Sequence, residues 1–428
     1  MINTTVKALV DAGIIYEPMD GNHGELHPVA KDYVATGIPF IMAADLEYGS
    51  VNYTTCKYIT EETAKTLRKG FAKEGDILLT HKATIGRTAR LQLPNTPFAV
   101  LTPQVTYYRV KNETVLDPYY LKLYFDSPSF QYIIKKRAGA GSTRAYIGIT
   151  KQGDLPVSYP DIKTQKDIVS VLKPIDDKIA QNSRICRELE QMAKMIYDYW
   201  FTQFDFPDAD GNPYCSSGGA MVWNEQIKRK IPAGWDVGNL YAIANPINGL
   251  ACQKYRPKET EEALPVVKIK EMHEGITEDT ELVSINIPAK HKIFDGDILF
   301  SWSATLEVMY WFGGAAGLNQ HIFKVVPING FSKEYVYHQF SGYVINFVKM
   351  AEARKTTMGH ITTEHLEQSR IVLPPDDIVQ EFSKIVSPIH ERIGHCQKEN
   401  RELIKLRDWL LPMLMNGQAT VEQEKVIE

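Results

Sequence analysis

The amino-acid sequence states one arrangement twice, and that repetition limits what the chain can fold into more than any other feature. Gly75-Asp-Ile-Leu-Leu79 returns as Gly296-Asp-Ile-Leu-Phe300, 221 residues later. Leu172-Lys-Pro-Ile-Asp-Asp-Lys-Ile179 returns as Val386-Ser-Pro-Ile-His-Glu-Arg-Ile393 after 214 residues, and Arg187-Glu-Leu189 as Arg401-Glu-Leu403 at the same spacing. Matches in one order at nearly one offset mark a duplicated domain; solenoid repeats are several-fold shorter.

Each half has the same internal order. Short apolar runs punctuated by Gly and Pro read as strands with some helix, for example Asp76–Thr80 and Val105–Val110, matched by Asp297–Ser301 and Ile322–Val326. A basic, Gly/Thr-rich loop follows, then a proline-bearing strand (Leu155–Pro160; Arg370–Pro375), then a long helix. At 428 residues the chain is too long for one ordinary core. Its 44% hydrophobic and 23% charged residues exclude a disordered chain, and no apolar run is long enough to span a bilayer. The residues after Met1 lack a charged stretch followed by an apolar core, so no secretory signal is expected. Five scattered cysteines without a C-x-x-C pair predict reduced thiols in a cytoplasmic protein and no zinc framework.

The helices carry the clearest period. Ile168, Leu172, Ile175, Ile179, Asn182, Cys186, Leu189, Ala193, Ile196 and Trp200 alternate at spacings of 4 and 3. The same spacing runs through Phe382, Val386, Ile389, Ile393, Cys396, Asn400, Leu403, Arg407, Leu410 and Leu414. This is the seam of two supercoiled helices; an amphipathic helix packed on its own domain is the competing reading. Antiparallel pairing about a pseudo-dyad sets Asn182 opposite Asn400 and Cys186 opposite Cys396, residue numbers in each layer adding to 582. Pro174 and Pro388 are expected to kink these helices or start them afresh.

A catalytic constellation is not evident. There is no G-x-x-x-x-G-K-[ST] phosphate loop, and no glycine-rich strand-to-helix turn for a dinucleotide. Asn245-Pro-Ile-Asn248 lacks the second proline and the aromatic residue of an amino-methyltransferase motif. His360 and His365 lack a third ligand at helical spacing, so no metal is expected there. Two halves without catalytic groups point to binding. The net charge of −4 does not argue for nucleic acid, but phosphate binding depends on local patches, and residues 135–151 carry five Lys or Arg and no acid. Taken alone, that segment reads equally well as a solvated loop.

Several segments resemble a known family. Tyr197-Asp-Tyr-Trp-Phe-Thr-Gln-Phe-Asp-Phe-Pro207, Gly211-Asn-Pro-Tyr214, Ser217-Gly-Gly219 and Ile231-Pro-Ala-Gly-Trp235 resemble the central region of type I restriction–modification specificity subunits. Gly249–Pro257, Phe300-Ser-Trp-Ser-Ala304 and Leu318–Val325 resemble a target-recognition domain of that family, and Leu410–Gln418 its carboxy-terminal region. The likeness covers essentially the whole chain. One departure is that the first module has no Ile-Pro-Ala-Gly-Trp opening, starting almost at once with Val6–Gly13 and Asp20–Gly24.

The resemblance implies an α+β fold of two pseudo-symmetric α/β target-recognition domains separated by two long antiparallel coiled-coil helices. The expected division is residues 1–160 (first module), 161–204 (central helix), 205–235 (linker), 236–375 (second module), 376–416 (C-terminal helix) and 417–428 (tail). It implies a non-catalytic subunit reading a bipartite site in double-stranded DNA for phage defence. Two methyltransferase subunits would bring S-adenosylmethionine, and restriction–motor subunits ATP and Mg. A helix of about 30 residues from Pro174, about 45 Å long, would act as the ruler between half-sites.

The DNA-binding candidates are loop residues. In the first module they are Lys82, Arg87, Lys135, Lys136, Arg137, Ser142, Thr143 and Arg144; in the second, Gln253, Lys254, Arg256, Trp302, Asn319, Gln320, His321, Arg354, Lys355, Thr356 and Thr357. Lys and Arg suit phosphate and guanine, Asn and Gln the edge of adenine. A stand-alone DNA-binding protein or a coiled-coil scaffold without restriction partners is the alternative; co-purification of a methyltransferase and salt-dependent DNA binding discriminate them.

Overall fold

The repeated Gly-Asp motif is a turn that launches the central strand of a sheet in each half. Gly75 and Gly296 adopt φ of 84° and 86°, a left-handed conformation that suits glycine. The aspartate then closes the turn: Asp76 Oδ2 accepts from Lys73 N (2.7 Å), and Asp297 Oδ2 from Phe294 N (2.8 Å). Each carboxylate also takes a cation from the neighbouring strand, Arg109 on Asp76 in two bonds of 2.6 and 2.7 Å and Lys324 on Asp297 at 2.8 Å. The motif is therefore architectural.

The computed structural model describes residues 1–24, 27–139, 145–303, 305–353, 361 and 363–421. In the first half, strand Ile77–Lys82 lies between Thr84–Arg90 and Val105–Tyr108, with Met19–Asp20 outside the latter. In the second, Asp297–Ser301 lies between Glu307–Trp311 and Ile322–Pro327, with Ala244–Asn248 outside. A second, mixed sheet repeats as well: Ala99–Leu101 pairs parallel with Ile38–Ile41 and antiparallel with Phe71–Ala72. Ala316–Leu318 does the same with Ala263–Val267 and Lys292–Ile293. The first module has its opening strand too. Ile2–Thr5 pairs with Pro156–Tyr159 as Asp236–Gly238 pairs with Ile371–Leu373, so the missing Ile-Pro-Ala-Gly-Trp segment removes no strand of the repeat.

The chain divides into two compact units, and the division cuts both long helices. One unit is Met1–Ser183 with the chain from Glu402 on; the other is Arg184–Arg401. The helices run over Ile162–Tyr197 and Asp376–Met415, and a short π-helical turn, Asp198–Thr202, extends the first. In the first unit, Ile168 and Leu172 share a core with Leu411, Leu414 and Met415, and Asp176, further along the first helix, meets Arg407, earlier on the second, so the two helix segments run antiparallel. In the second, Tyr197, Trp200 and Phe201 enter the module core beside Tyr335 and Phe382, the counterpart of that packing.

Of the two effects expected of the prolines, a fresh helix start does not occur. Pro174 and Pro388 lie inside continuous helices, so neither restarts one. An interior proline costs about 3 kcal/mol through a lost donor and a crowded preceding turn. Leu172 and Ile179 on either side of Pro174, and Val386 and Ile393 on either side of Pro388, are buried. At roughly 1.5–3 kcal/mol for each such side chain, packing outweighs the local preference.

Candidate DNA interface and the helix seam

The loops at one end of each central sheet converge because a glycine lets two backbones touch. A Cβ on Gly21 would lie 1.9 Å from Leu101 O, and one on Gly249 would lie 2.0 Å from Asn319 O. These glycines follow the outer strands Met19–Asp20 and Ala244–Asn248. Only a residue without a side chain fits where the strand end meets the crossing loop. Two further bonds repeat around this point. His81 N donates to Gln104 O (3.0 Å) as Trp302 N does to His321 O (3.3 Å), and Ile147 N to His81 O as Ile361 N to Trp302 O, both 3.0 Å. His81 thus occupies the place of Trp302, and Gln104 that of His321.

In the second module this crossing gathers several candidates. The Trp302 ring lies 5.4 Å from that of His321, and Trp302 Nε1 donates to Asn248 Oδ1 at 3.3 Å. His321 N donates to Asn319 Oδ1, and Gln320 Nε2 is 3.4 Å from His321 Nε2. Leu250 bridges to Asn319 in parallel and Cys252 Sγ reaches Leu318 O, which sets the exposed Gln253, Lys254 and Arg256 beside the same crossing. Asn319 is itself buried, which suits support of the loop more than base contact. Arg354, Lys355, Thr356 and Thr357 lie outside the described residues.

In the first module Lys82 ends the central strand and bridges to Tyr146, with Nζ 5.9 Å from that ring. Arg87 is exposed on the hairpin partner strand Thr84–Arg90. Lys135, Lys136 and Arg137 form the exposed last turn of helix Pro128–Arg137, and Gln131 Nε2 ties that helix to the hairpin through Gly86 O at 2.7 Å. Arg137 is engaged locally, donating to Asp154 O at 2.7 Å. Ser142, Thr143 and Arg144 lie outside the described residues. Sequence reasoning missed Asp20, His23, Lys69, His81 and Gln104, which surround the crossing here. The signal was present in the equivalence of Asp20-Gly21 to Asn248-Gly249 and of Leu101–Gln104 to Leu318–His321, but the offset drifts by several residues between these segments and hides it.

The helix seam differs between the units. In the second, Cys186, Ile393 and Cys396 form one buried cluster with Leu189 against it. The Cys186 thiol reaches Ile393 O at 3.7 Å and lies within hydrogen-bonding reach of Cys396. Burial, and the neighbouring Cys396 after it, push the Cys186 thiol up to about 12, which makes it a poor thiolate at neutral pH. A chain keeping only these two cysteines should form one intramolecular disulfide, slowly, under a strong oxidant; free thiols at both positions after prolonged oxidation would contradict the shared layer. Asn182 and Asn400 are both buried, and Leu403 is half-buried. In the first unit the seam position Arg407 reaches Asp176 at 3.5 Å, and Asp176 also accepts from Lys122 at 2.5 Å and from Tyr119 at 3.0 Å.

Comparison with known proteins agrees with this architecture. Residues 27–191 and 232–405 each match the family described as type I restriction modification DNA specificity domain. The MjaIX specificity subunit of a type I restriction enzyme from Methanocaldococcus jannaschii is 25% identical over 409 residues, covering 92% of this chain and 89% of its own. The HindI specificity subunit from Haemophilus influenzae is 24% identical, covering 68% of this chain and 74% of its own. A crystal structure of the S subunit of a type I restriction–modification system from M. genitalium superimposes with a TM-score of 0.51 at 14% identity, covering 96% of this chain and 95% of that one. Two copies of the family domain, taking up most of a chain whose halves repeat one architecture, place this protein in the type I restriction–modification specificity-subunit family.

Proposed function

We propose that the chain reads a bipartite site in double-stranded DNA, each module contacting one part, while the paired helices set the distance between the parts. The observation that carries this reading is the loop crossing repeated in both modules, surrounded by polar and aromatic side chains that differ between them: Asp20, His81 and Gln104 in the first, Asn248, Trp302 and His321 in the second. Helix Ile162–Tyr197 has 36 residues, about 54 Å at 1.5 Å per residue. That is longer than the 45 Å expected from Pro174 onward and exceeds one turn of duplex, as a ruler between successive major grooves requires. The Lys, Arg, Gln, Asn and Trp candidates named above are the proposed contact set, together with the seam residues as the structural spacer.

Chemistry belongs to partners in this reading. Two methyltransferase subunits dock on the scaffold and use S-adenosylmethionine to modify adenine, and restriction–motor subunits add ATP- and Mg-dependent cleavage, in the cytoplasm. Among the described residues no helix is long and apolar enough to cross a membrane. Co-expression with a methyltransferase subunit tests the assembly directly: a stable complex that methylates adenine at one bipartite sequence supports it, and a chain that stays alone and binds DNA without preference overturns it.

The exposed last turn of helix Pro128–Arg137 gives a sharper expectation. Lys135 and Lys136 have no carboxylate partner among the described residues, which suits diffuse phosphate contact. Replacing both with alanine should weaken binding to all sequences alike and reduce the slope of log K against log salt by roughly 2. Titrations at several salt concentrations measure it, and an unchanged slope removes this turn from the interface.

A further inference from the structure

Lys82, Arg87, Lys135 and Lys136 are exposed cations on long side chains, whereas discrimination between bases needs donors held in place. Such donors exist at its loop crossing. Asp20 is buried, and its two oxygens hold two side chains from different segments. Lys69 Nζ bonds Oδ1, and His23 Nε2 lies 2.8 Å from Oδ2. The contact of Gly21 with Leu101 O and the bond from Leu101 N to Gly70 O (2.9 Å) bring these segments together. Burial alone would raise the Asp20 carboxyl, but Lys69 and His23 hold it below the usual carboxylate range, so the anchor is ionised at neutral pH. Neither head is enclosed: the His23 side chain is 49% exposed and that of Lys69 32%.

We propose that Lys69 and His23, held by the Asp20 carboxylate, are the base-reading pair of the first module and recognise a G·C pair. The carboxylate fixes the tautomer of the neutral ring: Nε2 donates to Asp20, and in that form Nδ1 is left as an acceptor. The ammonium spends one hydrogen on Asp20 and keeps two. Two donor hydrogens beside an acceptor match the major-groove edge of G·C, where guanine presents two adjacent acceptors, N7 and O6, and cytosine the N4 amino group. An A·T pair offers acceptor, donor, acceptor and a methyl, so the second ammonium hydrogen would meet the adenine N6 donor. In the second module the residue equivalent to Asp20 is Asn248, which engages Trp302 Nε1 and carries no charge, so the two modules read by different chemistry. Asp20 itself is a positioning residue.

The inference rests on the DNA-reading function proposed above, and the test separates the two. The complex assembled with its methyltransferase subunit is presented with a library of bipartite sites randomised in both halves, and the selected sequences are read. Wild type should select one sequence. Lys69→Met should lose about ten- to a hundred-fold of its preference for G·C at one position, in one half only. Lys69→Arg should keep it, and His23→Phe should relax the same position. Asp20→Asn should relax it as well, and Lys69→Met decides the matter if that variant does not fold. Variants that bind every sequence more weakly with an unchanged preference would make these groups phosphate contacts and overturn the proposal, as would a relaxed position that is A·T. A wild-type complex selecting no sequence would instead overturn the DNA-reading function itself.

Discussion

Replacing Asp176 with alanine should destabilise the unit containing the first module by about 3 kcal/mol, because it removes the more deeply buried of the two carboxylates that hold a buried ammonium. Lys122 is almost fully buried, with Nζ 2.5 Å from Asp176 and 2.9 Å from Asp126, and Arg407 approaches the same carboxylate from the C-terminal helix. Deleting Asp176 leaves Lys122 with Asp126 alone and Arg407 with Asp408 alone, both of them more exposed than the carboxylate that was lost. Denaturant unfolding followed by a probe in this unit measures the effect. A loss under 1 kcal/mol would show that the cluster is solvated and unimportant. The double substitution Lys122→Met with Asp176→Leu removes charge and partner together and should recover much of the loss. The pH dependence has a definite sign. Burial alone would raise the Asp176 carboxyl, but Lys122 first and then Arg407 hold it below its ordinary value. Its contribution is therefore complete above the unfolded pKa near 3.8 and disappears only as pH falls through the lower folded value.

The second unit should fail in acid well before that. The duplication places His390 where the first half has Asp176, and Tyr337 where it has Lys122, so an ion cluster is replaced by neutral rings. His338 lies 5.2 Å from His390 and stacks on Tyr197 at 5.2 Å, while His390 meets Tyr310 edge-on at 4.7 Å. Burial, and for His338 the adjacent His390, push the two imidazoles down to about 3 and about 4. Both are neutral in the folded protein, whereas the unfolded chain takes up protons below about 6.5. Stability therefore falls with pH across that window, by up to about 1.4 kcal/mol per pH unit for each histidine. Between pH 7 and pH 4.5 the second unit should lose about 5 kcal/mol, while the carboxylate cluster of the first unit is still fully ionised. Thermal melts with a probe in each unit should show the second unit's midpoint dropping first. A His338→Phe variant should flatten the slope by about half, and parallel loss in both units would refute the assignment.

Legibility from sequence followed the range of the forces involved. The seam was readable because helical period is a local property: Leu172, Ile179, Cys186 and Ile393 are buried as their spacing requires. Strand positions such as Asp297–Ser301 were readable for the same reason. The basic last turn of Pro128–Arg137 was found through composition, whereas Asp20, His23 and Lys69 were missed because 49 residues separate the two ends of that network. The alternative in which Pro174 and Pro388 restart their helices does not hold, because the buried residues on either side of each proline keep the helix continuous.

What the sequence by itself determined was the duplication, the mixed α+β composition of each half, two long helices with a common seam, and the family, since each is written in spacing and motif. What only the tertiary structure decided was which residues meet. The glycine crossings at Gly21 and Gly249, the anchoring of Lys69 and His23 on Asp20, and the exchange of an ion cluster for paired histidines all depend on distant segments. Loop contacts of that kind are set by backbone approach and burial, quantities that no local pattern encodes.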